Sequence, residues 1–251
     1  CHKKQNHFLI HMSKKQSSEL AIEISELCFS WDGHAPTLDI ERLQINRGER
    51  IYIEGPSGSG KSTLLGLIAG VITPQKGTVR VDGRCVSELT GADRDRFRAD
   101  HIGYIYQMFN LIPYLSVVEN VTLPCQFSLS RRKKAAARSS RFEAEAMRLL
   151  KKLGMDGTAD ITKPATDLSV GQQQRVAAAR ALIGAPEIII ADEPTSSLDT
   201  GHREAFIQLL FKECDREETT LIFVSHDTSL EKLFDRTIRL NEINAVEGSK
   251  Q

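Results

Sequence analysis

The stretch Gly55-Pro56-Ser57-Gly58-Ser59-Gly60-Lys61-Ser62-Thr63 constrains this chain more than any other. Residues 51–54 before it are suited to a short strand, and residues 64–70 after it read as a helix. Strand, glycine-rich loop and helix, in that order, is the setting in which G-x-x-x-x-G-K-[ST] cradles phosphates. The glycines let successive backbone N–H groups turn toward an anion, and the helix start adds its partial positive charge. Lys61 can reach β- and γ-phosphates, while the Ser62 hydroxyl can ligate Mg²⁺. A flexible glycine–serine turn with a chance lysine is the competing reading, and the flanking strand and helix argue against it. The segment is read as a nucleoside-triphosphate site.

The chain has 251 residues, enough for one large α/β domain or a core with a smaller subdomain. Lys plus Arg and Asp plus Glu number 33 each, so no overall basic field marks a nucleic-acid partner. The cysteines (Cys1, Cys28, Cys85, Cys125 and Cys214) are scattered without a C-x-x-C pair. That spacing suits a reducing compartment better than a disulfide framework. The densest apolar run, residues 64–72, is too short to span a bilayer. Residues 1–11 mix histidine, lysine and apolar residues, and Met12 would make a sensible start; residues 1–18 are expected to be a disordered leader.

Residues 20–31 and 38–45 alternate apolar and polar, predicting half-buried strands ahead of the phosphate loop. Further strands are predicted at 77–83, 102–106, 188–191 and 221–224 and near 234–240. Helices are expected at 92–100, 171–183 and 203–214, with 116–154 helical throughout. The runs at 188–191 and 221–224 are continuously apolar, as in strands buried on both faces. Such alternation of strands and helices predicts an α/β fold, a mostly parallel sheet covered on both faces, with antiparallel strands first. Residues 130–141 are rich in Arg, Lys and Ala, read either as a solvated helix face or as contact with an anionic surface.

Two further motifs make the chain recognisable. Leu168-Ser169-Val170-Gly171-Gln172-Gln173-Gln174-Arg175, followed by Ile188-Ile189-Ile190-Ala191-Asp192-Glu193-Pro194, resembles the ATP-binding-cassette (ABC) ATPase family. Gln107, Ser197-Leu198-Asp199 and His226 fall in the same order as in that family. The resemblance covers about residues 20–240. It implies the ABC version of the P-loop NTPase fold: a parallel core, an N-terminal antiparallel β subdomain, and an inserted helical subdomain at about 108–183. One such domain is expected over residues 19–248.

The resemblance also implies roles. ATP with Mg²⁺ would fill the loop Gly55, Pro56, Ser57, Gly58, Ser59, Gly60, Lys61, Ser62, Thr63. Asp192 ends a buried strand, where a carboxylate is costly unless it meets a cation, so it is read as a Mg²⁺ ligand with Ser62 and Gln107. Glu193 would be the general base for water, and His226 the group touching the γ-phosphate. Trp31 stands where the family stacks an aromatic on adenine, with a core tryptophan as the alternative. Ser169 and Gln172 form an S-x-x-Q capping box, which is either only a cap or also an anion site. In the family this helix start, here Ser169, Gly171 and Gln172, faces the γ-phosphate held by a second subunit, and Asp199 lies in the loop crossing that dimer. Val170 replaces the first of two glycines in the family pattern.

The segment 104–124 is similar to the lipoprotein-releasing and macrolide-exporting branch of bacterial ABC ATPases. This implies a homodimer in the ATP-bound state, working with a separate integral-membrane permease from the cytoplasmic face of the inner membrane. Export or lipoprotein extraction is the expected work, and a regulatory role of the cell-division type is the alternative. The apolar segment 108–115 is expected either to dock the permease or to pack the helical subdomain onto the sheet.

Overall fold

β1 (Leu20–Phe29) and β2 (Leu38–Asn46) alternate buried and exposed side chains and pair antiparallel, with Ile24 opposite Leu43 and Phe29 opposite Leu38. The chain then leaves this sheet through β3 (Arg50–Glu54) and returns as β4 (Lys76–Val81) and β5 (Arg84–Cys85), giving the order β2-β1-β4-β5. A bulge in β1 at Glu26, whose φ is 51°, shifts the register against β4 between Ser25 and Cys28. Gly77 has to be glycine there, because a Cβ would lie 2.2 Å from the Glu26 carbonyl oxygen. The computed structural model describes residues 20–155, 163–196 and 200–246, so the expected leader and Asp199 lie outside the described residues.

The second sheet is parallel: β6 (Ile102–Ile105), β7 (Ile188–Asp192), β8 (Thr220–Val224) and β9 (Arg236–Arg239) join β3 in the order β6-β7-β8-β3-β9. Its central strands are buried on both faces, and their side chains alternate between two apolar clusters. Tyr52, Ile189, Leu221 and Phe223 enter one, while Ile51, Ile53, Ile190, Ile222 and Val224 enter the other. The second cluster also holds the inner face of the antiparallel sheet. One core thereby ties that sheet to the phosphate-loop strand.

α1 (Lys61–Ile68) begins at Lys61 itself, with Gly60 as its N-cap, and α2 (Gly91–His101) precedes β6. The region 116–154 is not one helix but four: α3 (Val117–Thr122), α4 (Pro124–Phe127), α5 (Leu129–Ser139) and α6 (Phe142–Lys152). Pro124 fits the first position of α4, Ser128 is extended and caps α5 by accepting from the Arg131 amide, and Ser140 is left-handed at the end of α5. α7 (Val170–Leu182), α8 (Thr200–Glu217) and α9 (Leu240–Ile243) complete the α-helices among the described residues.

The basic run is largely engaged at home. Arg131 is buried and donates to the carbonyls of Ile102, Arg180, Ala181 and Ile183, binding α5 to the end of α7. Its burial pulls the guanidinium down to about 10. Lys134 pairs with Glu187 at 2.8 Å, Arg138 pairs with Glu217, and Arg132 stacks over Phe142. Arg131, Arg132, Lys134 and Arg138 of this run thus have partners within the chain. No helix among the described residues is long and apolar enough to cross a membrane.

Candidate active site

In parallel register, Ile105 lies opposite Ala191, Asp192 opposite Val224, and Val224 opposite Ile53. The segments leaving β6, β7, β8 and β3 therefore emerge side by side at the carboxyl edge of the sheet. They carry Gln107, Asp192–Glu193, His226 and the phosphate loop. This edge is where open α/β sheets bind ligands.

The loop is built for close approach. Gly58 and Gly60 have φ of 79° and 98°, and a Cβ on Gly60 would lie 2.8 Å from Leu38 Cδ2. Leu38 starts β2, so the antiparallel sheet is pressed against the loop. Pro56, Ser57, Gly58 and Ser62 are exposed, while Ser59 and Thr63 are buried. Ser59 Oγ is buried without a hydrogen-bond partner. Lys61 bends back to donate to the carbonyls of Gly55 at 2.6 Å and Pro56 at 2.9 Å. A cation resting on two loop carbonyls, beside an orphaned hydroxyl and the start of α1, makes a cradle for an anion.

Trp31 is no core residue: it is 66 % exposed, packs edge-on against Phe29, and donates from Nε1 to Thr63 Oγ1 at 3.3 Å. With Thr37, Ser57, Gly58 and Ser59 it lines a cavity of about 450 Å³. An exposed aromatic face thus stands next to the loop.

At the end of β7, burial and the charge of Glu193 push the Asp192 carboxyl up, against the opposing pull of Lys61. A half-buried carboxyl in this condition fits a bound cation. Glu193 adopts a left-handed φ of 49°, and its amide donates to the Val224 carbonyl at 2.9 Å. That turn points the carboxylate at the loop after β8, where His226 Nδ1 lies 3.0 Å from Oε2. The contact is close enough for an ion pair when the imidazole is protonated, but it lacks hydrogen-bond alignment. Glu193 Oε2 is therefore buried with its acceptor capacity unused, while the His226 side chain is exposed. Gln107 sits exposed in the turn following β6.

Ser169 caps α7 through the expected box, accepting from the Gln172 amide at 3.3 Å while Gln172 Oε1 accepts from the Ser169 amide at 2.9 Å. Gly171 and Gln172 are half-buried, and Val170 is exposed. Two residues on this helix escaped the sequence reading. Gln174 is buried and donates from Nε2 to the Pro194 carbonyl at 2.8 Å. Arg180 is buried and donates to the carbonyls of Phe109 at 2.5 Å and Asn110 at 2.7 Å. Gln174 lies inside the motif that carries the resemblance but was given no role by it, and the only hint of Arg180 was a charged side chain on the apolar side of a helix.

The segment 108–115 divides. Met108 and Tyr114 are 80 % and 81 % exposed, but Phe109 is 5 % exposed and belongs to the core. Arg180 holds Phe109 and Asn110 in left-handed conformations, which turns the Phe109 ring inward. Phe109 thus packs the helical region onto the sheet.

A family model described as ABC transporter matches residues 38–196. The lipoprotein-releasing system ATP-binding protein LolD of Bacteroides thetaiotaomicron is 41% identical over 198 residues, covering 79% of this chain and 87% of that relative. The macrolide export ATP-binding/permease protein MacB of Mannheimia succiniciproducens is 36% identical over 233 residues, 92% of this chain and 35% of the longer protein. Among solved structures, the dimeric post-hydrolysis state of the ATP-binding cassette MJ0796, bound to ADP and Pi, superposes with a TM-score of 0.73. It is 34% identical and covers 87% of this chain and 93% of that one. The chain belongs to the ABC transporter family and is an ATPase of the LolD and MacB type.

Proposed function

We propose that this ATPase, one ABC domain over residues 19–248, couples ATP-driven dimerisation to a separate membrane permease working in export or lipoprotein extraction. The observation that carries this reading is Glu193 Oε2, buried and unsatisfied beside His226 at the sheet edge that also bears the phosphate loop. The loop amides of residues 55–63 and the ammonium of Lys61 bind the phosphates of ATP, and Lys61 leaves its two carbonyls to do so. Trp31 stacks the base. Ser62 and Asp192, approached by Gln107, fit Mg²⁺, which when bound would neutralise charge between the β- and γ-phosphates. Glu193 takes a proton from the attacking water, and His226 holds the γ-phosphate side of the site.

Ser169, Gly171 and Gln172 stand at a capped helix start whose amides suit an anion, and they complete the γ-phosphate site of a second copy. The dimeric state of MJ0796 supports that arrangement. Met108 and Tyr114 form the permease-facing surface, at the cytoplasmic side of the inner membrane. The matching relatives are named for lipoprotein release and macrolide export, which favours transport over a purely regulatory role.

Size measurement of the Glu193→Gln protein tests the dimer. With ATP and Mg²⁺ it should elute as a dimer, and with ADP as a monomer, because only ATP offers a γ-phosphate to the second subunit. Monomers under both conditions would overturn the shared site.

A further inference from the structure

Tyr52 is fully buried on the strand that runs into the phosphate loop, between Ile51 and Ile53. Its ring packs with Phe223 and Phe234, at centroid distances of 6.4 and 5.4 Å. Its hydroxyl lies 3.1 Å from the Ser225 carbonyl and 3.0 Å from the Asp227 carbonyl. One phenolic proton is thus shared between the two peptide carbonyls that bracket His226. The length of the side chain accounts for this reach. Tyr52 is paired with Phe223 in the sheet, and the phenol carries its oxygen to the carbonyl two residues further on.

The donor is permanent. Burial pushes the phenol up to about 12, outweighing the bond to Ser225 that would lower it, and the charges of Glu54, Glu193 and Asp227 add to the rise. Other bonds also hold this loop, among them the Leu230 amide donating to the Asp227 carbonyl at 3.1 Å. The Asp227 amide donates to Ser225 Oγ at 3.1 Å, and the Asp227 carboxylate pairs with Arg203 at 2.5 Å and accepts from Ser229. None of these bonds starts on the strand that carries the phosphate loop.

We infer that Tyr52 is a positioning residue for His226, a strut from the phosphate-loop strand that holds both flanking carbonyls and so sets where the imidazole meets Glu193. This role rests on the reading of His226 and Glu193 given above. Tyr52 touches no reacting atom. Phenylalanine at 52 would keep the packing and remove only the shared proton.

The test uses the full chain as Tyr52→Phe, His226→Ala and the double variant. ATP binding, kcat and KM are measured together with amide hydrogen exchange over residues 225–230 without nucleotide. Tyr52→Phe should keep its melting transition, bind ATP within about twofold of the parent, and leave KM nearly unchanged. Its kcat should fall roughly ten- to hundredfold, the scale of a misplaced group. In the His226→Ala background the same change should cost no further turnover. Exchange over 225–230 should quicken at least about tenfold whenever the phenol is removed, as expected for a loop losing its tie. An equal loss of kcat in both backgrounds would make Tyr52 a general structural residue and overturn the proposal. Unchanged exchange would overturn it as well. If His226→Ala alone kept parental turnover, the assignment of His226 would fail, and the exchange measurement would still decide whether Tyr52 holds the loop.

Discussion

Gln174 reaches from α7 to the turn after Glu193 and donates from Nε2 to the Pro194 carbonyl, 2.8 Å away, with the amide buried. The helix that begins at Ser169 is therefore bonded directly to the segment holding the proposed general base. A movement of the helix start, where a second subunit is proposed to bind, cannot leave Glu193 unaffected unless this bond breaks. Arg180, further along the same helix, binds the carbonyls of Phe109 and Asn110 beyond Gln107. One rigid element thus touches both the segment after β6 and the segment after β7.

Replacing Gln174 by leucine would preserve volume and strand the Pro194 carbonyl. A buried acceptor left unpaired costs about 1–3 kcal/mol. Thermal unfolding should show that loss, while steady-state assays should show reduced kcat with ATP affinity retained. A variant as active and as stable as the parent would remove Gln174 from the coupling.

Phe109 and Tyr114 should part company. Truncating the buried ring in Phe109→Ala is expected to destabilise the isolated chain by about 3–5 kcal/mol, the range for large cavities in a core. Tyr114→Ala should leave the melting temperature unchanged, since the side chain is exposed. In co-purification with the permease, however, it should weaken binding at least tens-fold, because aromatic anchors often carry about 2 kcal/mol or more of an interface. Full permease binding by Tyr114→Ala would place the docking surface elsewhere.

Asp192 adds a pH dependence of its own to the folded chain. Burial first, and then the charge of Glu193, raise its carboxyl above the ordinary 3.8. A carboxyl with a higher pKa folded than unfolded binds its proton more tightly in the folded state, so stability falls as pH rises through that interval. At neutral pH the ionised group is therefore a net cost. Asp192→Asn should melt higher than the parent at pH 7, the advantage shrinking as the pH drops toward the ordinary carboxylate value, and it should lose Mg²⁺-dependent turnover. A lower melting temperature at pH 7 would contradict the burial argument.

Glycine spacing around Lys61, apolar–polar alternation at 20–31 and 38–45, and continuous apolar runs at 188–191 and 221–224 made the phosphate loop, both sheets and the Asp192–Glu193 strand end legible in the sequence. Those signals are local. The interruptions at Ser128 and Ser140 were hidden by an Arg-, Lys- and Ala-rich stretch with good helix propensity, where two serines overrule composition by capping and by left-handed geometry. The apolar segment 108–115 left docking and packing both open, because the burial of Phe109 depends on Arg180, a residue 71 positions away. Gln174, Arg180 and Tyr52 act on carbonyls 20, 70 and 175 residues away, at Pro194, Asn110 and Asp227. A carbonyl has no side-chain identity, so such partners leave no mark in a sequence pattern.

Turnover of Glu193→Gln, set beside that of Lys61→Ala, tests the central claim most directly. Removing the base should lower kcat by about 10²–10⁴-fold, the range for a positioned proton acceptor, while ATP binding stays at the parental level. Lys61→Ala should instead lose binding itself, because its charge meets the phosphates before any chemistry. Parental hydrolysis by Glu193→Gln would contradict the assignment of Glu193 and, with it, the account of this site.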